Sequence, residues 1–269
     1  MADAAVTGPA TAVGRTPGGS PGLRGAGSIV LSVLVLALLW EGATRLFRVS
    51  PFYLPPLSAV VEVIAEHPHD FLAAALRTLT ETVIGYAVGV IVGVASGALF
   101  FQLRLLRELF FPLFIVSQTI PVIAFGAIIV MVFGNTLAAK AIIAFYLTFF
   151  PVTVNTLAGL SAVKRDQVAV LRSFGATGPQ LFWKLRLPAA LPQIFVALRL
   201  GSTLALIGAI VGEWFGDTLG LGVTLLNAMS NENVPVLWAT ILCSAIVGSG
   251  LYGLVAAIER TVVFWKEEL

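Results

Sequence analysis

Few residues in this chain are placed to do chemistry, and most of those that are sit in apolar surroundings. No glycine-rich loop ends in Gly-Lys-Ser or Gly-Lys-Thr, so the chain lacks the phosphate cradle of a nucleotide-binding site. His67 and His69 flank Pro68. Two imidazoles that close can share a metal, but no third ligand accompanies them, and the pair reads as part of a polar loop. Cys243 is the lone cysteine and lies in an apolar run, so no internal disulfide forms. No catalytic group, cofactor or metal is expected. What remains is the chemistry of polar groups inside apolar runs: Gln118, Thr119, Thr148, Asn155, Thr156 and Ser202. Such groups are costly in hydrocarbon unless they face a cavity or a partner helix. Pro121 and Pro151 can free backbone groups towards a cavity. Gln118, Thr119, Pro121, Asn155 and Ser202 are therefore the candidate lining of a polar path, with interhelical hydrogen bonding as the plainer alternative for each. Arg77 and Glu81 stand four residues apart, on one helix face, and are expected to pair. Glu213 is expected near the outer surface, hydrated or open to a partner.

These residues must be positioned by elements built for lipid. Of 269 residues, 58% are hydrophobic and 11% charged, and mean hydropathy is +0.97. A soluble domain carries about a quarter charged residues. A net charge of +2 is too small to suggest nucleic acid as a partner, and none is expected. Residues 1–27, rich in Ala, Gly, Pro and Thr, predict a disordered tail. Six apolar runs of about 20 residues follow, each long enough to cross ~30 Å of hydrocarbon: 28–47, 76–101, 112–133, 137–160, 194–214 and 236–258. Residues 57–66 predict a short helix at the membrane surface. Gly85, Gly89, Gly93 and Gly97 recur every fourth residue, which places all four on one helix face, where a neighbouring backbone can approach. The expected fold is all-α, a polytopic membrane protein with six transmembrane helices.

An even number of spans puts both termini on one side. With the N-terminus inside, twelve basic residues face the cytosol: Arg15, Arg24, Arg104, Arg107, Lys164, Arg165, Arg172, Lys184, Arg186, Arg199, Arg260 and Lys266. Four face out: Arg45, Arg48, Arg77 and Lys140. The positive-inside rule selects this orientation and makes the 161–193 connection cytosolic.

That connection is basic and punctuated by Gly and Pro. A helix is expected over 165–173, a break at Gly175, and a second helix starting at Gly178-Pro179. Pro188 and Pro192 are expected to stop and kink the chain as it re-enters the membrane, and with Gly201 they are candidate swivels. Val170, Leu171 and Phe174 form an apolar knob with basic neighbours, fit for a partner cleft.

Gly175, followed after nine residues by Leu185-Arg186-Leu187-Pro188, resembles the EAA loop of bacterial ABC importer permeases. The leading Glu-Ala-Ala of that pattern is replaced here by Ala169-Val170-Leu171. The resemblance extends over residues 54–265. It includes Leu54-Pro55-Pro56, Ser117-Gln118-Thr119-Ile120-Pro121, Phe149-Phe150-Pro151 with Asn155-Thr156, Val211-Gly212-Glu213 and Glu259-Arg260. In this order they are similar to the sulfonate, taurine, nitrate and pyrimidine-precursor branch of the binding-protein-dependent permeases.

The resemblance implies a type I importer permease of MetI-like fold in the bacterial inner membrane, multi-pass, with both termini cytoplasmic. It implies a permease domain over 71–259, preceded by a first span and surface helix over 28–70 and followed by a cytoplasmic tail over 260–269. The implied partners are cytosolic ATPase subunits, a second permease subunit (a homodimer is expected), an extracytoplasmic solute-binding protein and membrane lipid. ATP hydrolysis belongs to the partner. The implied ATPase-coupling residues are Val168, Ala169, Val170, Leu171, Arg172, Ser173, Phe174 and Gly175, with Leu185, Leu187 and Pro188 fixing the turn that follows. The implied function is transport of a small organic or anionic solute. Two competing readings have their own requirements: an ATP-independent transporter needs mid-span carboxylates, and a structural subunit of a membrane enzyme needs in-span histidines. Both types of residue are scarce in the apolar runs.

Overall fold

The computed structural model describes residues 21–265, which contain helices and loops and no strand. They fall into two units. The first ends at residue 49 and holds α1 (Pro21–Leu46). This helix covers the first expected span and starts seven residues before it, at a proline, whose fixed φ suits a first helical turn. The remainder of the expected tail, residues 1–20, lies outside the described residues. Arg45 pairs with Glu41 at 2.5 Å, one turn back on the same helix.

The second unit begins at residue 50. The surface helix is α2 (Leu57–Glu66). Next comes α3 (Pro68–Gln102), in which Pro68 occupies the first turn. His67 and His69 thus bracket a helix start rather than a loop. Then follow α4 (Arg104–Ser117), α5 (Val122–Phe133), α6 (Leu137–Ser161), α7 (Arg165–Ser173), α8 (Gly178–Leu181), α9 (Leu187–Glu213), α10 (Leu221–Ser230) and α11 (Val234–Val262). Four helices among the described residues are long and apolar enough to cross a membrane: Pro68–Gln102, Leu137–Ser161, Gly178–Glu213 and Val234–Val262. The α4–α5 pair makes a fifth if its break is counted within one span. The sequence reading of six also included the α1 run, which lies in the other unit.

Two expectations about continuity are corrected. The third expected span, 112–133, is not one helix. It breaks at 118–121, and α4 and α5 meet at 97°. Pro121 has no N–H to continue the ladder and pushes the residue before it out of helical geometry. Pro188 and Pro192, in contrast, do not stop the chain. Helix runs through both, from 178 to 213. A π-turn, Phe182–Arg186, precedes Pro188, and the Leu187 N–H donates to the Phe182 carbonyl five residues back. The wider turn makes room for a proline ring that would otherwise strike the preceding turn.

At the centre lies α6, between α3 and α9. Apolar side chains gain little by leaving lipid for one another, so close packing of small residues must hold these helices. Gly85, Gly89, Gly93 and Gly97 face Ala144, Thr148, Val152 and Thr156 in register, which makes α3 and α6 parallel. A Cβ at Gly89 would sit 2.7 Å from that of Thr148, and one at Gly97 2.6 Å from that of Thr156. On the other side of α6, Gly208 meets Ala144, Gly212 meets Lys140 and Gly159 meets Ala190, in antiparallel order. Thr148 crosses the seam and donates to the Gly201 carbonyl at 3.3 Å. Gly89→Val therefore lowers thermal stability in detergent by about 1–3 kcal/mol, the ordinary cost of overpacking. Gly250, which has open space around it, accepts Ala without loss. Equal melting of the two variants would remove the glycine seam as the cause.

Candidate functional site

The end of the bundle at α7 presents the connecting loop. Gln167 accepts from the Lys164 N–H at 3.2 Å and closes the first turn of α7. The helix ends where Gly175 takes φ +79°. From there the Gly175 and Ala176 N–H groups donate back to the Arg172 and Leu171 carbonyls, at 2.9 and 3.1 Å. This is the left-handed stop that glycine adopts without strain. Gln180 then accepts from the Thr177 N–H at 2.8 Å and starts α8. Of the predicted coupling residues, Phe174 is 83% exposed and Val170 is also exposed. Ala169, Arg172, Ser173 and Gly175 are exposed as well, while Val168 and Leu171 are half-buried. Leu187 packs against a buried cluster of Leu160, Ala190 and Ile194, so the loop is tied to α6 and α9 at its base. The result is an apolar knob on a rigid stalk.

The predicted path residues do not converge. Gln118, Thr119 and Pro121 sit together at the α4–α5 break. That break is held to α6 by stacked rings, Phe114 on Phe150 at 5.3 Å and Phe125 on Tyr146 at 4.1 Å. Tyr146 also donates to the Ser117 carbonyl. Asn155 lies elsewhere on α6 and accepts from Gln193 of α9 at 2.6 Å. Ser202 is buried and donates within its own helix to the Arg199 carbonyl. Asn155 thus bonds across the α6–α9 seam, and Ser202 bonds within α9.

The opposite end of the bundle holds a cluster that the sequence did not disclose. Lys140 is fully buried, and its ammonium lies 2.9 Å from Asp217 in the α9–α10 loop. It also donates to Asn135, whose amide in turn donates to the Gly216 carbonyl. Arg77 pairs with Glu81 at 2.9 Å, as expected, and also reaches Asp217 at 3.9 Å. Glu213 is not at a hydrated surface. It is 1% exposed, accepts from Thr78 at 2.6 Å and accepts from the Gly222 N–H at 2.5 Å. Thr78 Oγ1 accepts from the Leu221 N–H at 2.9 Å. Glu213 and Thr78 thus satisfy N–H groups that the first turn of α10 leaves open. The sequence reading placed Lys140 only among the outward-facing basic residues. The available signal was a lysine inside an apolar stretch, but its partner lies 77 positions away. Burial works to raise the Asp217 carboxyl, but the Lys140 ammonium and the Thr218 N–H outweigh it and hold it below the usual carboxylate range. Towards the α7 end another ion pair joins Arg199 of α9 to Glu259 of α11 at 3.1 Å.

Comparison with known proteins identifies the family. Residues 85–264 match the family model "binding-protein-dependent transport system inner membrane component", and the chain belongs to that family. The formylaminopyrimidine transport permease ThiX of Halalkalibacterium halodurans is 34% identical over 88% of this chain and 95% of its own. The riboflavin transport permease RibX of Chloroflexus aurantiacus is 28% identical, covering 88% and 89%. The taurine transport permease TauC of Escherichia coli is 27% identical, covering 90% and 91%. The fold matches a chain of the MetNI methionine ABC transporter, solved facing inward, with TM-score 0.63 and 18% identity over 73% of this chain and 98% of that one. The protein is thus a multi-pass ABC importer permease subunit with this MetI-like fold, and it is not an enzyme.

Lys140→Met leaves Asp217 without its nearest cation and costs about 3–5 kcal/mol, as when one partner of a buried pair is removed. The double variant Lys140→Met with Asp217→Asn recovers most of that loss. Thermal unfolding of the purified chain checks this, and equal melting of single and double variants counts against the pairing. Because Asp217 titrates low, its contribution is complete above about pH 4, the ordinary carboxylate value, and fades as pH falls through the depressed one. Asp217→Asn flattens that acid limb.

Proposed function

We propose that this chain forms the translocation path of an ATP-driven importer. Cytosolic ATPase subunits push on α7, a second permease copy completes the path, and an extracytoplasmic binding protein delivers the cargo. Both termini are placed in the cytosol, in agreement with the positive-inside count. The observation that carries the reading is the knob of Val170 and Phe174, exposed on a helix stopped at Gly175 and rooted through Leu187 between α6 and α9. A partner groove that differs between ATPase states can bias the permease only through unequal affinity for its two conformations. The 178–213 run transmits the push because it is continuous helix, about 54 Å long at 1.5 Å per residue. The π-turn beside the loop and the break at 118–121 are the places where packing can yield. Gln118 and Thr119 at that break are the path residues nearest to a change of shape.

For cargo, the relative at 34% identity is named for formylaminopyrimidine and another for riboflavin, so a small nitrogen heterocycle is the first solute class to test. Gly175→Val puts a β-branched residue where φ is +79°, at a cost of about 1–3 kcal/mol of local strain. Nothing lies within 4 Å of the Cβ that it adds. The variant still reaches the membrane and its ATPase partner still hydrolyses ATP, but uptake of labelled solute falls at least tenfold. Unchanged uptake in cells, measured beside hydrolysis by the purified complex, removes α7 as the lever.

A further inference from the structure

A cavity of about 600 Å³ opens beside the connecting loop, at the start of the 178–213 helix. Among the described residues its wall includes Phe101, Gln102, Phe182, Trp183 and Arg186, and no carboxylate. Arg186 lays its guanidinium over the Phe101 ring at 4.6 Å. That stacking uses the face of the group and leaves the terminal N–H donors of its edge free to bond. Among the described residues Arg186 makes no hydrogen bond or ion pair, and its Nε is buried without an acceptor. A half-buried guanidinium held in place by an aromatic ring, with its donors unspent, is an incomplete site. Trp183 is 65% exposed on the same turn, the placement of a residue at a membrane–water boundary. The surrounding segment is basic, with Lys164, Arg165, Arg172, Lys184 and Arg186 against Asp166.

We propose that this cavity binds a phosphate-bearing anion, with the Arg186 edge on the phosphate oxygens and the Gln102 amide beside it. A guanidinium fork matches phosphate geometry in two parallel hydrogen bonds. Basic pockets between helices on the cytoplasmic side take lipid headgroups in this way. The apolar rings of Phe101 and Phe182 suit the carbon chain of a lipid, while free phosphate needs only the polar edge. Arg186 lies between Leu185 and Leu187 at the base of the loop, twelve residues or more beyond the exposed knob residues Val170 and Phe174.

The test uses the full chain in neutral detergent and follows its melting temperature with added phosphatidylglycerol, phosphatidylcholine or inorganic phosphate. Saturating phosphatidylglycerol, about 100-fold over its dissociation constant, raises the wild-type midpoint by about 5–10 °C, and phosphatidylcholine does not. Arg186→Gln abolishes that shift. Should this variant fail to accumulate, Arg186→Lys serves instead and weakens the apparent affinity about tenfold. An equal shift from inorganic phosphate identifies the free anion as the source, and a shift from phosphatidylglycerol alone identifies the headgroup. The same midpoint with all three additives overturns the proposal. So does a phosphatidylglycerol shift that persists in Arg186→Gln or keeps its affinity in Arg186→Lys.

Discussion

Helices in a bilayer gain little from hiding apolar side chains, because the lipid is as apolar as they are. What holds them is how closely their backbones approach and which polar groups they share. In this permease both conditions are met along α6. Glycines of α3 lie on one side of it and glycines of α9 on the other, and Thr148 bonds across the second seam. The other elements hang from this three-helix spine. The α4–α5 break is stacked on the aromatic rings of α6, and the connecting loop is rooted where α6 and α9 meet.

The two ends of the spine are built differently. At one end Lys140, Arg77, Glu213 and Thr78 tie the α9–α10 loop and α10 to α3 and α6 through buried charges and backbone donors. Buried ion pairs contribute little net stability, but breaking one is expensive, so they fix geometry more than they add strength. At the other end α7 stands clear, with Val170 and the adjoining Phe174 exposed. In the proposed mechanism this asymmetry makes the helix pair a lever, loaded at the loop and held at the clamp.

Proline has opposite effects at two places, and the neighbouring backbone decides which. At 118–121 the chain leaves helical geometry before Pro121, and the two halves diverge by 97°. Before Pro188 the backbone widens into a π-turn instead, and the helix continues. Both are local departures from α-helical spacing in a molecule that otherwise has little slack. Both also adjoin elements that the proposed transport cycle has to move.

Short-range pattern was readable without coordinates. The bounds of α2 and α7, the stop at Gly175, the start at Gly178-Pro179 and the shared glycine face all follow from residue types at fixed spacing, because helix geometry and turn chemistry depend on neighbours in the chain, and the family followed from the resemblance of its motifs. Partnerships between distant positions were not readable. Lys140 with Asp217, Glu213 with Gly222 across a glycine turn, Arg199 with Glu259, and the fate of the helix at Pro121 and at Pro188 depend on which surfaces meet in space. A charge in an apolar run shows that some partner exists. Only packing decides which one, because the cost of burying that charge is met by whatever residue the folded helices bring within reach.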